Sequence, residues 1–448
     1  MSNNTNNIPK FNTLFKPLLI EQFFQMLLGN VDIFLLSKVE DSAVASVGMA
    51  KQLLTISTMV LGIVTLGSTI LFLHYSSNPD KEKMQSIIRQ SIFLNLTLSI
   101  LLFLNIFIFG NSLLLLIKTP LEILDTSKIY LYIVGFGLIF QSIMSISSSV
   151  LRSFAYVNIA MKISVIINLT NIIGNAVVIF FPGVFFQNSI VGISVVTLSS
   201  YMLGAVLSIY LLKENLPTYF SGLFRFKFDF KIIKEILKLG IPSAMESISH
   251  IISQTIITSI IATMGTLVIT SKIYAQTITS FVFIIGAASG QAGQIIIGRL
   301  ISSKKFEEAR KFGNANTNRF VLVALICNLL VAAFSPFLIR LFTQDPLIIK
   351  TTQILLFLNC LYDPLRVANE TEITALLVAK DVKFPVIVGA IVIYLFTVPA
   401  SYITVELLNH SIVSVWIIFI IDEFIRAGIF KVRWNKMKWS KYNGLQWK

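Results

Sequence analysis

Three carboxylates stand where a bilayer would surround them. Asp32 lies in the apolar run 27–36 (LLGNVDIFLL), Glu246 follows Pro242 in a run rich in Ile, and Asp363 sits between Leu361 and Leu365. An ionised Asp at the centre of a span costs about 2.5–3.5 kcal/mol, so such a residue is held by a partner or works by taking up a proton or a cation. Asn30 is placed to hydrogen-bond Asp32 or its backbone; a permanently paired Asp32, or one near the outer headgroups beside Lys38, is the alternative. Glu246, His250 and Gln254 recur every four residues and share one helix face. A carboxylate one turn from an imidazole shares a proton or, with further oxygen ligands, binds a cation such as Na+. Carbonyls freed by Pro242 could join that set. The alternative places Glu246 at the interface, eight residues past Lys238.

Asp363, Arg366 and Glu370 are three and four residues apart, with Tyr362 and Glu372 beside them and Pro364 permitting a kink. That spacing makes either an intrahelical ion ladder or a site, with Asp363 nearest mid-membrane. Tyr274, Gln276, Gln291 and Gln294 set a phenol and three amides along one span. They read as interhelical hydrogen bonding or as the lining of a solute cavity.

Other chemistry is missing from the sequence. It holds no G-x-x-x-x-G-K phosphate loop, no H-E-x-x-H and no G-x-S-x-G, and His74, His250 and His410 are far apart. No ATP motor, catalytic centre or cofactor is therefore expected. Cys327 and Cys360 lie in apolar segments and read as buried thiols.

The elements that must position these residues are membrane spans. Of 448 residues, 55% are hydrophobic and 13% charged, about half the charged share of an ordinary soluble domain. The formal charge of +14 would suit nucleic acid, but the basic residues are neither gathered on one helix nor interleaved with aromatics, so no nucleic-acid partner is expected. Segments of about 20 apolar residues predict twelve spans: 11–37, 44–74, 86–117, 126–151, 159–181, 188–212, 236–264, 267–297, 317–342, 348–378, 382–408 and 411–430. The fold class is thus an all-α integral membrane protein with twelve transmembrane helices in two pseudo-symmetric six-helix lobes. The lobes are 1–212 and 239–430, joined by a basic cytoplasmic linker, 213–238, and followed by a basic Trp-containing tail, 431–448. With both termini cytoplasmic, inner segments hold 28 Lys and Arg and outer loops seven, Lys272 among them. Basic residues beside Trp434, Trp439 and Trp447 suit an anionic inner leaflet and its headgroups.

The halves share a register of 225 residues. Pro17 and Glu21 fall opposite Pro242 and Glu246, and Leu151 and Val157 opposite Leu376 and Val382. Two related apolar halves are the sign of a secondary transporter with its site between repeats.

The run P-x-x-x-E-Q-x(6)-G-N-V-D over 17–32, then A-V-A-S-V-G over 43–48, resembles the opening of the MATE (multidrug and toxic compound extrusion) family. The likeness continues through L-R-S-F at Leu151, I-I-N-x-x-N-I-I-G-N ending at Asn175, G-I-P-S-A-M-E at Gly240, K-I-Y-A-Q at Lys272 and G-R-L-x(5)-F-E-E-A at Gly298. It covers nearly the whole chain. The resemblance implies export by alternating access, driven by H+ or Na+, of amphipathic, often cationic compounds held in a central cavity. The family's first-helix carboxylate maps onto Asp32, and Glu246 and Asp363 are the nearest matches to acids that bind Na+ in some members. Asn30, Asn171, Asn175, His250, Gln254, Tyr274, Gln276, Gln291 and Arg366 are then substrate-binding or cavity-lining candidates. Ala155-Tyr156 and Ala379-Lys380-Asp381 stand where the family has Gly-Asp. The expected setting is a bacterial plasma membrane, and the chain, already holding both repeats, is expected to act as a monomer. A flippase for a lipid-linked oligosaccharide or polysaccharide precursor is the alternative function. Its anionic headgroup would favour basic residues in the cavity, and only Arg366 lies within a span.

Overall fold

The computed structural model describes residues 9–36, 41–76, 80–117, 119–181, 188–220, 228–408 and 411–444. The side chains at 27–36, 41, 42, 44, 246, 247, 250, 262, 266, 443 and 444 lie outside the described set. Every regular element described is helical. In the first half run α1 (Phe11–Leu36), α2 (Asp41–Tyr75) and α3 (Lys81–Leu116). They are followed by α4 (Leu121–Phe136 and Leu138–Ser153, bent by 42°), α5 (Val157–Phe180) and α6 (Ser189–Asn215). The second half holds α7 (Phe230–Ala262), α8 (Thr266–Ser302), α9 (Phe306–Ala333), α10 (Pro346–Val378), α11 (Lys383–Leu407) and α12 (Ile412–Asn435).

Sequence chemistry sets the helix ends. Asp80, Asn188 and Asp345 cap α3, α6 and α10 by accepting from backbone N–H groups two or three residues on. The helices α4, α8 and α10 close on one motif. The N–H groups of Ala155 and Tyr156 donate to the carbonyls of Arg152 and Leu151, and Lys304 with Lys305, then Lys380 with Asp381, repeat the pattern. The motif puts Ala155, Lys304 and Lys380 in the left-handed region at φ 65°, 59° and 62°. Ala155 and Lys380 are the positions where the resemblance calls for glycine.

Among the described residues, seven helices, or eight if bent α4 is one span, are long and apolar enough to cross a membrane. Helices α10 and α12 fall outside that set because acids and arginines interrupt their apolar runs. The ninth span begins earlier than the sequence suggests, at Phe306, and the chain after it turns into a short helix, Ser335–Arg340.

Contacts divide the chain into two units, Ile20–Ala244 and Met1–Leu19 with Met245–Lys448. Helices α1 and α7 each begin in one unit and end in the other. In the first unit α2 packs on α3 and α4, and α5 on α6, around Leu61, Ile106, Leu131 and Val134. The start of α7 meets α2 backbone to backbone: a Cβ on Gly240 would lie 2.0 Å from the Ile63 carbonyl oxygen. That approach needs glycine, and it gives the G-I-P motif at Gly240 a packing role. In the second unit α10 packs on α8, α9 and α12, and Phe11 and Phe15 of α1 lie 5.5 and 5.0 Å from the Phe320 ring.

The described part of the basic tail, 431–444, folds onto this second unit. Helix α12 runs on to Asn435, and Met437 turns left-handed at φ 50°, so that Trp439 stacks on Trp434 with ring centres 4.6 Å apart. Both indoles are buried, the Trp434 N–H donates to the Arg310 carbonyl, and Arg433 forks onto Asp381 at 2.7 and 3.1 Å. The headgroup role expected of Trp434 and Trp439 is therefore corrected to a structural one; Trp447 lies outside the described residues.

Candidate functional site

Helix α10 carries much of the site because its interior holds several buried polar groups. Pro364 removes one backbone donor, and Asp363, Asn369 and Glu372 are all buried. Asp363 is 2% exposed and hydrogen-bonds Asn328 of α9, yet its Oδ2 has no partner among the described residues. Arg366, one turn on, makes no ion pair with a described carboxylate. Its guanidinium lies over the Phe283 ring of α8, 3.8 Å from the centroid. The intrahelical ladder offered by the spacing is thus replaced by a cation–π contact, with Arg366 acting on Asp363 and Glu370 through the electrostatic field.

Facing this stretch is a group that the sequence reading passed over. Helix α12 carries Asp422, Glu423 and Arg426 in the run I-D-E-F-I-R, all nearly sealed from solvent. Arg426 takes both oxygens of Asp422 at 2.9 and 2.8 Å and one oxygen of Glu423 at 2.8 Å. The other Glu423 oxygen accepts from Asn369 of α10, whose amide also donates to the Glu423 carbonyl at 3.0 Å. Thr397, closing a π-helical turn Ile393–Thr397 of α11, reaches Asp422. Along the α10–α12 contact four carboxylates (Asp363, Glu370, Asp422 and Glu423) and two guanidiniums lie within reach of one another's fields, Arg366 and Glu370 half-buried and the rest buried. A buried set with an excess of acids attracts a proton or a cation. The signal was present: two acids inside a span are as conspicuous as one.

The remaining candidates are placed as follows. Asn171 and Asn175 are buried in the first unit, where Asn175 donates to Asn171 at 2.9 Å and Asn171 to Thr197 of α6 at 3.1 Å. Gln254 is half-buried and its carbonyl accepts from Thr258; Tyr274 lies 5.3 Å from the Phe342 ring; Gln276 is exposed. Gln291 Oε1 is buried without a partner among the described residues. Asn30, Asp32, Glu246 and His250 lie on α1 and α7, and their side chains are outside the described residues. Lys272, read from sequence as a loop residue, is instead buried within α8 and donates to Thr258. Among the described residues no three His, Cys, Asp or Glu side chains converge as metal ligands; the Glu246 side chain is not among them.

In the first unit the counterpart of Glu246 has a cationic partner. Glu21, 2% exposed, accepts from Arg152 Nη2 at the end of α4. The position 225 residues after Arg152 is Leu377, so the arginine is not repeated at that register position.

The MatE family model matches residues 17–177 and again 242–403. The two matches start 225 residues apart, the register of the halves. An uncharacterized transporter, YisQ of Bacillus subtilis, is 31% identical over 94% of this chain and 93% of its own. A probable multidrug resistance protein, NorM of Thermotoga maritima, is 22% identical over 95% and 91%. Among solved structures, a MATE in complex with MaD3S superposes with a TM-score of 0.89 at 20% identity, over 98% of each chain. A MOP-superfamily transporter from Pyrococcus furiosus does so at 0.85, also at 20% identity and over 98% of each chain. The fold is that of the twelve-helix MATE transporters, and the chain belongs to the MatE family.

Proposed function

We propose that this protein is a cation-coupled antiporter, driven by H+ or Na+, that exports amphipathic cationic organic compounds by alternating access between its two halves. The observation that carries this reading is the buried Asp363 carboxylate, with one oxygen unpartnered among the described residues and a net excess of acids around it. Such a group exchanges a proton or a cation at little structural cost, whereas a carboxylate locked to an arginine does not. Relatives named as multidrug resistance proteins support export of small organic molecules.

The coupling residues in this reading are Asp363, Glu246 and Asp32. From the outward-facing state, uptake of the cation weakens drug binding; the protein turns inward, loses the cation and takes new drug. An ion biases that equilibrium only by its differential affinity for the two states, and about 1.4 kcal/mol of difference gives tenfold. Phe and Met surfaces accept varied ligands because they repack and set few directional demands. The protein works as a monomer with both termini cytoplasmic, needing no cofactor.

The test reconstitutes the protein in liposomes and follows a fluorescent organic cation under separately imposed pH and Na+ gradients. Wild type, Asp32→Asn, Glu246→Gln and Asp363→Asn are compared. Gradient-driven transport by wild type, abolished in at least one variant, is the expected result and identifies the ion. Folded wild type that moves no cationic dye under either gradient, but translocates a labelled lipid-linked sugar, would overturn the export reading in favour of a flippase.

A further inference from the structure

The α12 triad poses a charge problem that packing does not answer. Asp422, Glu423 and Arg426 carry two negative charges and one positive in a space where each residue is at most 5% exposed. Buried ion groups of this kind are seldom retained for stability, since apolar residues of similar volume often serve as well. The triad is tied to α10 through Asn369, which stands between Arg366 and Glu370, and the field of Glu423 acts on both Asp363 and Glu370. The charged and titratable groups facing it are Tyr362, Asp363, Arg366 and Glu370 from α10, with Asp422 and Arg426 on its own helix; α11 contributes the Thr397 hydroxyl.

We infer that Glu423 is a positioning residue for cation coupling. Clamped by Asn369 and Arg426, it fixes the Asp363–Glu370 stretch of α10 and supplies the uncompensated negative charge that draws the coupling cation to that stretch. This inference rests on the reading of Asp363 as a coupling carboxylate. It differs from a purely structural role in depending on the charge of the triad and not on the identity of one side chain.

The charge count yields the test. Glu423→Gln neutralises the triad, and so does Asp422→Asn; the double variant Glu423→Gln/Arg426→Gln returns it to one net negative charge. Transport by each is measured in liposomes against the concentration of the coupling ion. The single variants should raise the ion concentration for half-maximal transport by about tenfold while maximal turnover changes little, the size expected for one charge removed at close range in a partly polar interior. The double variant should return it towards wild type. Lower turnover with an unchanged ion dependence, or a double variant worse than either single one, would make Glu423 structural only. The infrared band of protonated carboxyl groups, followed in purified protein against pH and Na+, separates this inference from the export reading. A wild-type band that responds and shifts with the triad charge supports the inference even if no substrate moves; a band that ignores that charge overturns it.

Discussion

A carboxylate sealed inside a membrane protein either keeps a permanent partner or exchanges a transient one, and Glu21 and Asp363 are the two cases. Each keeps one oxygen unpartnered among the described residues, but the other oxygen of Glu21 is paired with the Arg152 guanidinium, whereas Asp363 has the neutral Asn328 amide and no ion pair with a described cation. Glu21 is buried and Arg152 partly exposed, so removing the arginine strands a buried carboxylate beside partial solvent. Arg152→Met is therefore expected to destabilise the protein by about 1–3 kcal/mol in detergent unfolding, with Glu21→Gln/Arg152→Met recovering much of that loss. A single variant as stable as wild type would show that solvent reaches the pair. Asp363 was legible in the sequence because one acid in an apolar run is conspicuous. The Glu21–Arg152 pair was not, because its members are 131 residues apart and only the fold joins them. Arg366 was legible as a charge but not as a contact: its spacing matches an ion ladder, yet Phe283 on another helix offers the guanidinium a face.

At the level of elements, composition and spacing located the twelve long helices, and errors gathered where charge and apolarity mix. Glu307, Glu308 and Arg310 are helical in α9, although their polarity suggested a loop before the span. Three helices end on the same left-handed closure without glycine, which costs an L-residue roughly 1–2 kcal/mol. Ala155→Gly should therefore raise unfolding stability by about 1 kcal/mol, offset in part by the greater freedom of glycine in the unfolded chain. A loss of stability there would mean that the Ala155 methyl makes a needed contact. The Trp434–Trp439 stack had no signature beyond the two aromatics, because it depends on the reversal at Met437 and on the gap at Gly313, where a Cβ would lie 2.7 Å from the Trp434 indole nitrogen.

For the whole molecule, the 225-residue register was readable from a few motifs, and the paired family match repeats it. What the motifs did not show is that the repeats exchange material: the units divide after Leu19 and after Ala244, equivalent positions in the two halves. Topology is the prediction at this scale. With Cys327 and Cys360 replaced by Ala, single cysteines at exposed Lys311 and Lys350 should differ towards an impermeant maleimide in intact cells. Lys350 should label directly and Lys311 only after permeabilisation; the reverse pattern would place the termini outside.

The placement of those divisions bears on ancestry. A precursor carrying a single repeat would have owned the start of a helix that its own body did not use, and lacked the one that it needed. Two copies would have completed each other as a reciprocal dimer, each lending its leading segment. Gene duplication with fusion would then have made permanent, within one polypeptide, an exchange that began between two.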